Sequence, residues 1–169
     1  MAHIYFTRHG QTVWNVENKI CGMTDIELTK LGHRQAEELG VFIRNNDIQI
    51  DEIVYSPLIR AAETARHISE VTGIQRREEV RLIEQNFGKY ESTPRDGKEF
   101  AQAKTHFLEH YDGGETMFHV AQRVYNLLDE IKLEADHKIY LLVAHGGIGR
   151  VTDVKNVPCG TAILPGLVY

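Results

Sequence analysis

Two apolar periodicities take turns along this chain. Ile4-Tyr5-Phe6 is a short apolar run that reads as a buried strand. Thr29 opens a helical pattern with Ala36, Leu39 and Ile43 on one face, and Asn45-Asn46-Asp47 ends it. Ile53-Val54-Tyr55 predicts a second strand closed by Ser56-Pro57. A helix comes next, with Ala61, Ala62, Ala65 and Ile68 inward and Gly73 in the place of a C-terminal cap. Ile74 to Leu82 reads as extended, with charges at its middle. Lys98 to His110 carries Phe100, Ala103 and Phe107 at helical spacing. Glu115 to Glu134 is the clearest helix, its stripe of Met117, Val120, Ala121, Val124, Leu127, Leu128 and Ile131 facing the core. Ile139 to Ala144 is a fully apolar strand that runs into His145-Gly146-Gly147. A helix is predicted from Gly147 to Val157, stopped by Pro158. The apolar tail 158–169 reads as a strand, an oligomer contact or a truncated end. Strands alternating with helices predict an α/β fold of three layers, a mainly parallel sheet with helices on both faces.

The 169 residues contain no repeat, low-complexity tract or linker, and are expected to form one domain, 1–169. The formal net charge of -5 argues against nucleic acid or an anionic membrane as partner, while leaving room for a small cationic pocket. Cys21 and Cys159 make neither a disulfide framework nor a zinc signature, which suits a reducing compartment. No apolar run reaches the length of a membrane span or a secretory leader, so a cytoplasmic location is expected.

The polar residues just after the strands carry the chemistry. Arg8 and His9 come after the first strand, Ser56 to Arg60 after the second, Glu84 after the extended segment, and His145 after the last. In a parallel sheet these junctions open at one edge, where such folds place their ligands. Two arginines, two histidines and one carboxylate would then surround one hole, a phosphate pocket with an acid beside it. Arginine's planar fork matches phosphoryl oxygens. A neutral imidazole can attack phosphorus, and a glutamic acid can protonate the oxygen that leaves.

Arg8-His9-Gly10-x-Thr12-x-x-Asn15, Ser56-Pro57-Leu58-x-Arg60-Ala61-x-x-Thr64-Ala65, Leu82-x-Glu84 with Phe87-Gly88, Gly114-Glu115 and Ala144-His145-Gly146-Gly147 stand in order along the chain. Together they resemble the histidine phosphatase superfamily, the group that includes the cofactor-dependent phosphoglycerate mutases. Gly22-x-x-Asp25-x-x-Leu28-Thr29-x-x-Gly32-x-x-Gln35-Ala36 is similar to its first loop and helix. The resemblance runs from residue 3 to about 150 and implies a phosphoglycerate mutase-like fold. It makes His9 the nucleophile that becomes phosphohistidine. It gives Arg8, Arg60 and His145 the binding of the phosphoryl group, and Asn15 a further hydrogen bond to it. Glu84 becomes the group that protonates the leaving oxygen and then activates water. The Cys21-Gly22 loop resembles a substrate-contacting stretch of the mutases. The scheme calls for no metal and no cofactor.

Plainer readings stand beside these. Asn15 can be a turn residue, and Arg76-Arg77 with Glu78-Glu79 a solvated charge cluster. His33, His67, His106, His110, His119 and His137 fall on predicted helices or their ends; His106 and His110 are four apart, but nothing of suitable spacing completes a metal set. Mutases carry a long insert after the catalytic glutamate, with an adjacent arginine pair. Here the 86–115 insert over the expected site is shorter, with Arg95, Lys98 and Lys104 and no such pair. The Glu84-Gln85-Asn86-Phe87-Gly88 run is more similar to the phosphatase branch, whose Trp-Glu-Gly is here Tyr90-Glu91-Ser92. A phosphatase of small phosphorylated metabolites is therefore expected, monomeric or homodimeric. A mutase is the alternative, and a non-catalytic phosphate-binding regulatory module the second alternative.

Overall fold

A computed structural model of the chain describes residues 4–106, 109–134, 138–151 and 161–163. In chain order the elements are β1 (Ile4–Arg8), α1 (Val13–Val16), α2 (Lys30–Asn45), β2 (Glu52–Tyr55), α3 (Ile59–Thr72), β3 (Arg76–Glu78), α4 (Lys98–Ala103), α5 (Met117–Glu134), β4 (Tyr140–Ala144), α6 (Gly146–Val151) and β5 (Thr161–Ile163). The strands form one sheet in the order β3-β2-β4-β1-β5, and every pairing is parallel.

The sheet is covered on both faces. Ile4, Phe6, Val54, Leu142 and Ala144 pack against Val120, Val124, Leu127 and Leu128 of α5 and Ile148 of α6. Ile53, Leu141 and Val143 face the other way, onto Leu39 and Ile43 of α2 and Ala61, Ala65 and Ile68 of α3. Neighbouring residues of one strand bury themselves in opposite layers because strand side chains alternate between faces, which is why β4 is apolar throughout. Among the described residues no helix is long and apolar enough to cross a membrane.

Local signals explain the helix ends. Thr29 caps α2 by accepting from the Gly32 amide at 3.0 Å, and Gly73 ends α3 with φ of 78°. Thr116 accepts from His119 N–H at 3.1 Å, so α5 begins two residues after the expected Glu115, whose carboxylate instead pairs with Arg123.

Three expectations change. The extended segment Ile74 to Leu82 is a strand only over β3; Val80–Leu82 is a 3-10 turn capped by Glu79, whose carboxylate accepts from Arg81 N–H at 3.0 Å. Glu79 is buried and ion-paired to Arg81 and Arg77, so that part of the charge cluster is not solvated. The helix expected to run to His110 stops at Ala103 in α4, and Phe107 lies outside the described residues. At the C-terminal end α6 occupies the first part of the expected 147–157 helix, and 152–157 lie outside the described residues. Part of the tail is a strand, β5, laid parallel beside β1.

Candidate active site

Because the pairings are parallel, β1, β2 and β4 end at the same edge, and main-chain bonds fix the residues that come directly after them. His9 N–H donates to Ala144 O at 3.0 Å, and Ser56 N–H to Val143 O at 3.1 Å. These extend the ladders by one step and set His9, Ser56 and His145 side by side. The rings of His9 and His145 lie with centroids 5.2 Å apart, tilted by 57°.

His9 Nδ1 stands 2.7 Å from Gly10 O. A carbonyl can only accept, so Nδ1 carries the proton and Nε2 keeps its lone pair. Burial, then the charges of Arg60 and Arg8, hold His9 well below the usual histidine range. The ring is therefore neutral at neutral pH, with an unprotonated Nε2. His145 is buried completely and is held low by the same means, with Arg60 the largest of the charges. Its Nε2 meets Ser56 Oγ at 2.7 Å, and Ser56 Oγ also accepts from Leu58 N–H at 3.4 Å. With the Ser56 hydroxyl proton given to Nε2, the ring proton sits on Nδ1, a buried donor with no partner among the described residues. A phosphoryl oxygen would satisfy it.

Glu84 sits against the start of α6. Its Oε2 accepts from Gly147 N–H and its Oε1 from Gln85 N–H, both at 2.9 Å. Arg8, His9, Asn15 and Glu84 line one cavity of about 140 Å³. Asn15 does two jobs there. Its Oδ1 accepts from Thr12 N–H at 2.9 Å, closing the capping box of α1, and the residue also forms part of the cavity wall.

Arg60, His145 and Gly22 are not among the lining residues. Arg60 is buried, and donates from Nη1 to Thr24 O at 2.9 Å and from Nη2 to Gly22 O at 2.6 Å. Its Nε has no partner among the described residues. Arg60 thus holds the 22–24 loop while its charge acts on both histidines. Asp25, at the end of that loop, accepts from Ile59 N–H at 2.7 Å and so caps α3, where Leu58 offers no side-chain cap.

The outer wall holds three more cations, Arg95, Lys104 and Arg150, beside Phe87 and Phe100. Burial, followed by Arg150 and Arg95, pulls Lys104 below the usual lysine value. Among the described residues Glu84 is the one carboxylate in the lining, so the cavity is strongly cationic within an acidic chain.

The sequence profile of the histidine phosphatase superfamily (branch 1) matches residues 4–153. The chain belongs to this family. It is 34% identical over 154 residues to the probable phosphoglycerate mutase GpmB of Yersinia pestis (strain Pestoides F), covering 86% of this chain and 70% of that protein. A mycobacterial glucosyl-3-phosphoglycerate phosphatase, solved with VO3, is similar with TM-score 0.77 and 30% identity, over 90% of this chain and 81% of that one. A phosphoglycerate mutase from Thermus thermophilus is similar with TM-score 0.72 and 27% identity, over 98% and 86%.

Several contributors to this candidate site either escaped sequence reasoning or, like Thr64, were seen only as part of a motif with no role assigned. Thr64 Oγ1 accepts from Gly10 N–H at 3.1 Å and donates to Arg60 O at 2.7 Å, seating the turn after His9. Its place four residues beyond Arg60, on the same helix face, is a signal that could have found it. Gly147 was visible only as part of a motif; a Cβ there would stand 2.3 Å from Glu84 Oε1. Glu91 takes Gly22 N–H at 3.0 Å, Met23 N–H at 3.1 Å, Thr24 Oγ1 at 2.8 Å and Phe87 N–H at 3.1 Å. One carboxylate thereby joins the first loop to the insert. No local pattern announces a partner so far away in sequence.

Proposed function

We propose that this histidine phosphatase hydrolyses small phosphomonoesters through a phosphohistidine on His9. The observation that carries the reading is the Nδ1–H bond from His9 to Gly10 O, which leaves Nε2 unprotonated in the ring that lines the cavity with Glu84. In the first step Nε2 attacks phosphorus and the ester P–O bond breaks. The departing oxygen takes the proton of the Glu84 carboxylic acid, and the alcohol leaves. In the second step the Glu84 carboxylate takes a proton from water as its oxygen attacks phosphorus. The N–P bond breaks, its electron pair returns to Nε2, and phosphate is released. Arg8 and the His145 Nδ1–H would hold the phosphoryl oxygens, with the Arg60 charge behind them. Proton transfer by a placed carboxyl contributes about 10²–10⁴ in rate.

Arg95, Lys104 and Arg150 support an alcohol portion that bears negative charge of its own. The same wall favours the second reading, mutase-type transfer, since a phosphoglycerate carries a carboxylate beside its phosphate.

The test is phosphate release from a panel of phosphomonoesters, native protein against His9→Ala. Release abolished by the substitution is expected, with acid-labile, base-stable phosphate trapped on the native chain alone. Interconversion of phosphoglycerates without net phosphate release would replace the phosphatase reading by the mutase one. An unlabelled chain that only binds phosphate would leave a regulatory module.

A further inference from the structure

Away from the cavity, α2 and α3 bring together side chains that catalysis does not use. His33 and Glu37 lie one turn apart on α2, and Glu63 and His67 one turn apart on α3. His33 Nδ1 and His67 Nε2 stand 2.9 Å apart, with the rings inclined at 75°. A Glu63 carboxylate oxygen completes a set of three donor atoms, all within 4.8 Å of one another. None of these residues lines the active-site cavity.

We propose that His33, His67 and Glu63 bind a divalent d-block cation of the zinc class, which ties α2 to α3. The donor set is the first argument. Two imidazoles and a carboxylate are the ligands such ions take when thiolates are absent, with solvent free to fill a fourth position. Geometry is the second. Two nitrogens at about 2.0–2.1 Å from one ion are about 3.3 Å apart in a tetrahedral site. The pair at 2.9 Å needs to open by only a few tenths of an ångström. The bond between the rings already shares one proton between two lone pairs, and a cation would take the proton's place. The third argument is the surroundings of His67. Its other nitrogen, Nδ1, lies 3.4 Å from Glu37 Oε1, so Nε2 points to the site while a carboxylate orients the ring. A slight closing of that gap would give the carboxylate–histidine–metal arrangement by which ligating imidazoles are usually fixed.

Arg66 is the competitor. Its guanidinium bonds both Glu63 oxygens and approaches His67 Nε2 at 3.2 Å, while Nη1 holds Glu70 at 2.7 Å. Binding would move Arg66 off Glu63 and leave it on Glu70, an exposed shift within one helix face. The mount of the catalytic turn adjoins this place. Gly32, beside His33, packs against Gln11, and Thr64, beside Glu63, takes the Gly10 amide. An ion here would stiffen the two helices on which that turn rests.

The test uses untagged, chelator-stripped protein titrated with Co²⁺, whose visible absorption reports its ligands, and then with Zn²⁺ in competition. One equivalent with a nitrogen–oxygen spectrum is expected, displaced by Zn²⁺, with a higher midpoint of thermal unfolding. His33→Ala and His67→Ala should each weaken binding by at least about tenfold, and Glu37→Ala by about tenfold through the ring it orients. Arg66→Ala should strengthen it several-fold, because it removes the competing cation without touching a ligand. Far-UV circular dichroism separates lost binding from lost fold. No stoichiometric Co²⁺ binding, a spectrum that survives the His33→Ala/His67→Ala double substitution, or an Arg66→Ala chain that binds no better would each overturn the site.

Discussion

Gly147 N–H donates to Glu84 Oε2 at 2.9 Å, so the Glu84 carboxylate is gripped by the first turn of the helix after His145. A methyl group on Gly147 would meet the other Glu84 oxygen at 2.3 Å. Gly147→Ala is therefore expected to push the carboxylate out of place with the sheet unaltered. Its kcat should fall by about 10²–10⁴, the worth of a placed proton donor. Rapid-quench measurement of both half-reactions would check it, with circular dichroism as control. A kcat within threefold of native would refute the grip.

Removing the Glu91 carboxylate strips three main-chain amides and one hydroxyl of their acceptor at once. Glu91→Ala is expected to cost about 2–3 kcal/mol in urea unfolding, since bonds to a charged acceptor are among the stronger ones. Activity should fall with it, because the 22–24 loop that Arg60 holds loses its second anchor. An unchanged midpoint would show the loop to be held by Arg60 alone.

The buried histidines set a pH dependence whose sign is fixed. Both are held below the usual value of 6.5, so the unfolded chain takes up protons first as pH falls. Stability from these residues is complete above pH 6.5 and is lost as pH drops below it toward their native values, at up to about 1.4 kcal/mol per pH unit for each. Urea unfolding at pH 7.5 and 5.5 should show the loss, and His145→Asn should remove about one histidine's share of the slope. The acid limb of kcat/KM should lie below 6.5 and move up in Arg60→Ala, which deletes the largest charge acting on His9. A limb that stays in place would disprove that influence.

Ser92 occupies the left-handed region with φ of 66°. A glycine would take this angle without the crowding that a Cβ meets there. Ser92→Gly is expected to raise stability by about 1 kcal/mol through relief of that conformation, its amide bond to Ile20 O being retained. Thermal or urea unfolding measures it directly, and a lower midpoint would contradict the strain.

The layers were legible because burial leaves a period. Ile53-Val54-Tyr55 and the unbroken run Ile139 to Ala144 read as strands, and Thr29 and Gly73 marked helix ends by their own chemistry. Arg8 and His9 were legible because a parallel sheet gathers at one edge the residues at the ends of its strands; Glu84 reaches the cavity beyond the Val80–Leu82 turn rather than from the strand end the sequence suggested. Val80–Leu82 was misread as extended, since the Glu79 carboxylate that turns it is a tertiary matter of burial and Arg81. Lys104 reaches the cavity through the path of the insert, where it meets Arg150 of α6, and no periodicity encodes that meeting. His33 and His67 were legible only as residues on two separate predicted helices, and their meeting depends on the packing of α2 against α3.

Arg8 pairs with Ala144 in the register of β1 with β4, and the two histidines are the next residue on each strand. Their spacing is thus inherited from the ladder rather than from any loop. If the proposed phosphatase reading holds, the rim can exchange its side chains, lengthen or shorten, and so change which ester enters, while His9 and His145 keep their alignment. Such a division lets new substrates be acquired by altering the doorway alone. It also makes a one-residue slip between two central strands the change that chemistry here could not survive.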